Sequence, residues 1–291
     1  MSKVKIITDS NTGILQKEGN DLGIFVIPMP FTVNGEEYLE EISISQDQFY
    51  VYLSKGAEVT TSQPSQYYLQ ELWTELLKDN DELVYIPMSS GLSKTCENSQ
   101  KLAEDFNGKV FVVDNLRISV TQKESVFEAI ALAKQGKSAS EIKAYLESSK
   151  DKMSIYIVPA VLKYLKKGGR ISPAAAVLGD ILKVKPILYS NGLKFEKYGI
   201  ALAMNQAKTK MIMKIKQDLE TTFKQEYEAV KMTISVAHTQ NEQEALKFKE
   251  EIIAKIPNVK FRFVDPLSLS VSCHIGAGAL AVATCINNYL D

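Results

Sequence analysis

The sequence predicts an α/β protein of two domains, the first built on a doubly wound, mainly parallel sheet and the second on a mixed sheet. Three observations carry this. Short apolar runs alternate with amphipathic segments through the first half, the pattern of strands joined by crossover helices. In the second half, Asn191-Gly192 separates two extended stretches, a hairpin signal that places an antiparallel pair in that sheet. The length of 291 residues at 45% hydrophobic content suffices for one large core or two modest ones.

In chain order, residues 4–7 form a buried apolar run ending at Thr8-Asp9-Ser10, and read as a strand. Val26-Ile27-Pro28 and Phe31-Thr32-Val33 are extended, and Asn34-Gly35 turns the second toward Tyr38. Apolar residues at 68, 69, 72, 73, 76 and 77 give residues 67–77 helical spacing. Strands follow at 83–88 and 110–113, with helices at 95–106 and 121–134. Ser138 with Glu141 is a capping box opening a helix to about residue 146.

The second half opens with a strand at 155–158 and a short helix at 162–165 that Gly168-Gly169 stops. The small apolar stretch 173–182 is expected to be helical, and 185–189 with 193–198 to form the hairpin. A long helix at 203–223, a strand at 232–237, a helix at 242–256 and a strand at 259–264 follow, and residues 277–289 are read as a closing helix. The domains are expected at 1–153 and 154–291, with no Pro-, Gly- or Ser-rich linker between them and no internal repeat.

Charge narrows the function classes. There are 34 Lys and Arg against 35 Asp and Glu, a net charge of −1. That balance gives no electrostatic reason for nucleic acid or an anionic membrane as the main partner. No apolar run approaches the ~20 residues a membrane span needs, and Met1-Ser2-Lys3 leads straight into a strand with no signal-peptide pattern. The expectation is a soluble cytoplasmic protein. Cys96, Cys273 and Cys285 lack metal-ligand spacing and suit a reducing compartment as packing residues. No metal set, Walker loop or G-x-S-x-G elbow is present.

Ligands of open parallel sheets bind beyond the carboxyl ends of the strands. Four segments near such ends carry polar chemistry. Thr60-Thr61-Ser62-Gln63-Pro64-Ser65 offers hydroxyls before a helix, although capping alone explains Ser62 and Pro64. Ser89-Ser90-Gly91-Leu92-Ser93-Lys94-Thr95 joins a strand to a helix, with Gly91 permitting close backbone approach; a capped loop is the plainer account. His274 sits in the small-residue segment 270–278, read as a loop before a helix. A lone His is more often structural, and His238 is read that way. Arg170 follows Gly168-Gly169, where the plain account is a helix stop and a solvated Arg. Together these segments put hydroxyls, one His and one Arg on loops.

In order and spacing, several of these segments resemble the DegV family over essentially the whole chain. Thr61-Ser62-Gln63-Pro64-Ser65 is similar to its TSQPS motif, and Ser89-Ser90-Gly91-Leu92-Ser93 with Thr95 to its SSGLSGT motif. The stretch from Tyr164 to Ser172 resembles YLKKGGRIS, Lys185-Pro186-Ile187-Leu188 resembles IKPIL, and the run from His274 to Leu280 resembles HTGPGALG. Thr8-Asp9-Ser10 matches the family's opening TDS.

The resemblance implies two α/β domains with a long-chain fatty acid between them. It implies that Thr61 and Ser93 bind the carboxylate, that His274 joins their hydrogen-bond network, and that Arg170 lies nearby. Ser62, Ser90 and Gly91 form the supporting loops. It further implies a bacterial lipid-binding subunit, not an enzyme itself. Such a subunit has no cofactor and presents the carboxylate to an ATP-binding fatty acid kinase for acyl-phosphate and phospholipid synthesis. Transient membrane contact would serve lipid exchange.

Three departures stand out. Lys94 replaces a Gly, Asp114-Asn115 stands for Asp-Ser without the Gly-rich stretch after it, and the segment 198–203 replaces an Arg-containing K-x-R segment that is a candidate partner contact. The residues expected to line a lipid tunnel are Ile157, Val158, Val161, Ala174, Ala175, Val177, Leu178, Ile181, Leu182 and Ile187, with ordinary core as the alternative. Two other functions compete. One is a stand-alone acyl hydrolase using Ser93 and His274, for which no third triad member is visible. The other is a carrier of another amphipath, or a lipid-responsive regulator.

Overall fold

The computed structural model describes residues 3–180 and 184–289. Its first half runs β1 (Val4–Asp9), α1 (Gln16–Asp21), β2 (Phe25–Ile27), β3 (Pro30–Val33), β4 (Glu36–Leu39), α2 (Gln46–Ser54), β5 (Val59–Thr61), α3 (Gln66–Leu76), β6 (Glu82–Ile86), α4 (Thr95–Ala103), β7 (Val110–Val112), α5 (Val120–Lys134) and α6 (Ala139–Ser148). The second half continues with β8 (Met153–Val158), α7 (Lys163–Gly168), α8 (Pro173–Ala176), β9 (Lys185–Ser190), β10 (Glu196–Ala201), α9 (Met204–Glu220) and α10 (Lys224–Glu228). It closes with β11 (Met232–His238), α11 (Glu242–Lys255), β12 (Lys260–Pro266), α12 (Leu269–Ile275) and β13 (Leu280–Ile286).

The apolar runs of the first half pair in parallel in the order β2-β1-β6-β7. Successive side chains alternate faces. Ile6, Val84 and Ile86 therefore pack with Val126, Ala129 and Ile142 of α5 and α6, while Ile7, Leu83 and Tyr85 pack with Leu69, Trp73 and Leu102 of α3 and α4. Helices on both faces explain why these strands read as unbroken apolar runs. The hairpin at Asn34-Gly35 does not join this sheet. β3 pairs antiparallel with β4 and β5 as a separate three-stranded sheet. Its Phe31, with Phe49 of α2, packs in one cluster with Leu269 and Cys273 of α12.

The second half forms a six-stranded sheet, β10-β9-β8-β13-β11-β12. Only β11 and β12 run parallel; the other neighbours are antiparallel. One face carries Ile155, Ile157, Ala237, Ala281 and Ala283 and packs toward Ile118 and Ile275. The other carries Val158, Val236 and Val282 and packs on Met211, Ile215, Phe248 and Ile252 of α9 and α11.

Residues 277–289 are not a helix. Leu280–Ile286 is the fourth strand of the sheet, every residue buried, paired with both β8 and β11. A strand buried on both faces has no polar beat to separate it from a buried helix. The helix lies just upstream: residues 269–275, expected as a loop, form α12, which ends at Gly276 with φ +78°. The helix expected over 173–182 is α8 followed by a 3-10 turn, and residues 181–182 lie outside the described residues. Helices α1 and α2 were not anticipated.

A polar seam joins the halves. Arg117 is fully buried and pairs with Glu128 at 3.2 Å, and its other Nη donates to the carbonyl of Ile286 at 3.4 Å. Glu124 accepts from Arg262 at 3.1 Å and from Asn287 at 2.6 Å. Lys123 bridges Asp265 and Glu18 at 3.0 and 3.1 Å.

Candidate functional site

The segments singled out by sequence converge on one cavity. Thr61, Ser62, Ser93, Arg170 and His274 line it together with Asn11, Met29, Met88 and Leu92. It holds about 510 Å³ of atom-free space, counting solvent at its mouth. Ser90 and Gly91 are not among the lining residues.

Thr61 ends β5, and its Oγ1 lies 3.0 Å from His274 Nε2. His274 sits in the last turn of α12. Its ring packs so closely on Gly168 that a Cβ there would stand 2.2 Å from Nδ1. The two glycines therefore do different work: Gly169, at φ +69°, stops α7, and Gly168 makes room for the imidazole. Burial, with the Arg170 guanidinium beside it, lowers the His274 pKa to about 4, so the ring is neutral near pH 7.

Arg170 is not a solvated side chain. Its Nε donates to the Leu92 carbonyl at 3.1 Å and its Nη1 to the Gly168 carbonyl, which ties the α7 turn to the Ser93 loop. Burial lowers its pKa. Ser93 Oγ lies 2.9 Å from Thr95 Oγ1 and accepts the Thr95 backbone N–H at 3.2 Å. Gly91 serves the hairpin: a Cβ there would lie 2.6 Å from the Gly192 carbonyl, to which Ser89 Oγ also donates. The cap of α3 is Ser65, not Ser62; its hydroxyl accepts the Tyr68 N–H at 3.1 Å. Ser62 is left facing the cavity.

Asp9 underlies this end. Fully buried, it accepts the backbone N–H groups of Met88 at 2.9 Å and Asn11 at 3.1 Å, and Gln122 Nε2 at 3.1 Å. Burial raises its pKa to about 6 against those hydrogen bonds. Asp9 thus fastens two cavity-lining segments to the end of β1.

Beyond the polar end the walls become apolar. Ile118, Phe195, Val271 and Ile275 border both this cavity and a second one. The second is almost entirely apolar, lined further by Ile155, Ile157, Ala237, Leu267, Ala281 and Ala283. Of the expected tunnel residues, Ile157 lines it, and Ala175 and Leu178 belong to the surrounding apolar cluster. Val158 and Ile187 belong to the core on the far face of the sheet. Val161, Ala174 and Val177 are exposed, and Ile181 and Leu182 lie outside the described residues. Part of the wall that sequence reasoning missed comes from α12 and β13, the two misread segments, through Val271, Ile275, Ala281 and Ala283.

Among the described residues Ser93 and His274 share no hydrogen bond: His274 pairs with Thr61 and Ser93 with Thr95. Among the described residues no carboxylate hydrogen-bonds the imidazole, so the geometry there is not that of a nucleophile activated by a base. No three His, Cys, Asp or Glu side chains gather as a metal-holding group among the described residues. No described helix is long and apolar enough to cross a membrane.

Fold and cavity define an α/β protein with an amphipathic internal cavity between a parallel and a mixed sheet. The chain belongs to the DegV family: the family model described as "Uncharacterised protein, DegV family" matches residues 3–287. It is 32% identical to Protein DegV of Bacillus subtilis over 289 residues, 97% of this chain and 99% of that one. The crystal structure described as "DegV, a fatty acid binding protein from Bacillus subtilis" superposes with a TM-score of 0.84 at 29% identity, covering 98% of this chain and 100% of that one. A structure described as "Fatty Acid Binding of a DegV family Protein from Thermus thermophilus" gives 0.85 at 26% identity, covering 98% and 99%.

Proposed function

We propose that this protein binds a long-chain fatty acid, with the carboxylate at Thr61 and Ser93 and the acyl chain in the apolar cavity, and that it presents the carboxylate to an ATP-dependent kinase. The observation that carries the reading is the Thr61–His274 pair at 3.0 Å opening onto apolar walls shared by two cavities. The described fatty-acid binding of the Bacillus and Thermus relatives supports it.

The energetics agree. Burying about 14 methylenes of a palmitate tail contributes on the order of 11 kcal/mol before ordering costs. Burying a carboxylate opposes this by several kcal/mol unless it is hydrogen-bonded. Hydroxyl donors meet that need without a tight ion pair that a phosphoryl transfer would have to break. In this reading His274 orients Thr61, Arg170 braces the loops and adds positive potential, and Ser62 completes the mouth. Ser90 and Gly91 support it from behind.

The protein itself is then a non-catalytic lipid-binding subunit of the cytoplasm. It uses no cofactor, contacts membranes only to exchange lipid, and supplies acyl-phosphate synthesis for phospholipids. The domain division belongs to the same proposal: 1–153 holds the four- and three-stranded sheets, and 154–291 most of the six-stranded one. Partner contact is its most exposed part. The segment 198–203 lies at the edge strand β10 and presents Tyr198, Ile200 and Leu202 rather than an Arg.

The test is gentle purification, organic extraction and mass spectrometry, with a Thr61→Ala/Ser93→Ala protein alongside. A stoichiometric fatty acid, diminished in the double variant, is expected. No acyl ligand in the wild type, even after added oleate or palmitate, would overturn the reading. Phosphoryl transfer from ATP to bound palmitate on adding a fatty acid kinase subunit tests the presentation step.

A further inference from the structure

The strand that walls the apolar cavity has a second face. Along β8, Ile155 and Ile157 point into that cavity, and the alternating residues Ser154 and Tyr156 line a separate one on the opposite side of the sheet. This separate space holds about 580 Å³ of atom-free volume, counting open solvent, and is bordered also by Tyr189 of β9, Lys197 and Tyr198 of β10, and Lys214 and Asp218 of α9. It shares no lining residue with the two cavities of the proposed fatty-acid site.

Three tyrosines form its aromatic wall. The Tyr156 ring lies 5.2 Å from both Tyr189, at 39°, and Tyr198, at 68°. Tyr156 is the fixed member: it is buried, and its hydroxyl donates to Asp218 at 2.7 Å. Tyr198 is 39% exposed and keeps part of its ring open to the groove. The Asp218 carboxylate does not leave the groove acidic. It accepts from Ser154 at 3.2 Å as well as from Tyr156, and Lys214 pairs with it at 2.6 Å. The Lys197 side chain is exposed and its ammonium has no hydrogen-bond or ion-pair partner among the described residues. Lys214 matches the Asp218 charge, so the lining carries one net positive charge, at Lys197.

We propose that this groove is a second ligand site, for a small anion carrying a planar ring. The ring lies against Tyr189 and Tyr198, and the anionic group is held by Lys197 with Lys214. Aromatic faces take flat rings by offset or edge-on stacking, largely regardless of which ring it is. An unpaired ammonium at the rim of such a wall selects for a negative substituent. The same tyrosines would suit an organic cation, but the net positive charge at Lys197 opposes that class. A nucleoside monophosphate and an aromatic carboxylate share the required chemistry.

The test uses full-length protein and calorimetric titration with AMP, adenosine, ribose 5-phosphate and benzoate. Saturable binding of AMP or benzoate is expected, with adenosine and ribose 5-phosphate at least about tenfold weaker than AMP if the ligand is a nucleotide. Benzoate binding without AMP binding assigns the aromatic carboxylate class. Tyr198→Ala and Lys197→Glu are each expected to weaken the bound probe by about tenfold, Lys197→Glu at an unchanged melting temperature. The proposal is overturned if neither AMP nor benzoate saturates by about 5 mM, roughly the weakest affinity such a site would have. Binding that persists undiminished in both variants, or AMP binding no tighter than adenosine, overturns it equally.

Discussion

A neutral imidazole decides what Thr61 has to offer. His274 Nδ1 faces Gly168 and Nε2 faces the Thr61 hydroxyl. In the tautomer with the proton on Nε2, the ring donates to Thr61 Oγ1 and leaves the hydroxyl proton free for a carboxylate. Thr61→Val keeps the shape and removes that proton. Palmitate affinity, measured by fluorescent fatty-acid displacement, should fall about tenfold or more, the cost of a hydrogen bond to a charged group. A second buried group acts in the opposite sense on stability. Glu40 accepts the Leu269 N–H at 2.8 Å, at the start of α12, and burial pushes its pKa from 4.5 to about 8. The folded protein keeps a proton there that the unfolded chain releases. The stabilisation is complete below about pH 4.5 and is lost as pH rises through 8. Glu40→Gln retains the acceptor and removes the titration. Its stability relative to wild type should climb between pH 5 and 8.5, by on the order of 3 kcal/mol in urea denaturation. Of these residues, Thr61, Ser93, Arg170 and His274 were legible from motifs. Asp9 was visible only as part of an opening TDS, and nothing in the spacing of Glu40 announced a buried acid, because burial is a property of the folded neighbours.

At the scale of elements, the site depends on how α7 and α12 meet. Gly168→Ala would drive a methyl into the His274 ring. It is expected to cost about 1–3 kcal/mol of stability, read from the melting temperature, and to weaken palmitate binding by displacing the imidazole. Gly169→Asn, which keeps a residue tolerant of positive φ at the helix stop, should be nearly neutral. The contrast separates the two glycines that sequence reasoning treated as one turn. Elements with a clear period were readable: α9 and α11, the β9–β10 hairpin and the parallel strands all fall within a few residues of expectation. In both failures the pattern lacks the period of the element. Leu280–Ile286 is apolar at nearly every position because both its faces are covered, and α12 is seven residues long with small and polar side chains between its apolar ones. The strand leaves no periodic trace, and α12 alternates apolar and polar residues with the period of a strand rather than of a helix; together they supply part of the apolar wall.

For the whole molecule, the seam along α5 matters most. Arg117 reaches from the first half to the Ile286 carbonyl and holds Glu128, both side chains without solvent exposure. Arg117→Leu would leave Glu128 buried without its counter-charge. A loss of about 3–5 kcal/mol is expected, measured by urea denaturation. On the same helix, Lys123 and Glu124 are buried and add contacts to Asp265, Arg262 and Asn287 of the second half. The position of β13 bears on how the chain acquires its shape. It is the last strand in sequence, yet it sits between β8 and β11. Until residues 280–286 have been synthesised, those two strands present open edges to one another and to other nascent chains, a known hazard for aggregation. The apolar cavity also lacks the wall formed by Ala281 and Ala283 until then. A chain halted before residue 280 would hold most of the other walls but not this one, so the cavity closes in a single step when β13 enters between β8 and β11 rather than growing with length.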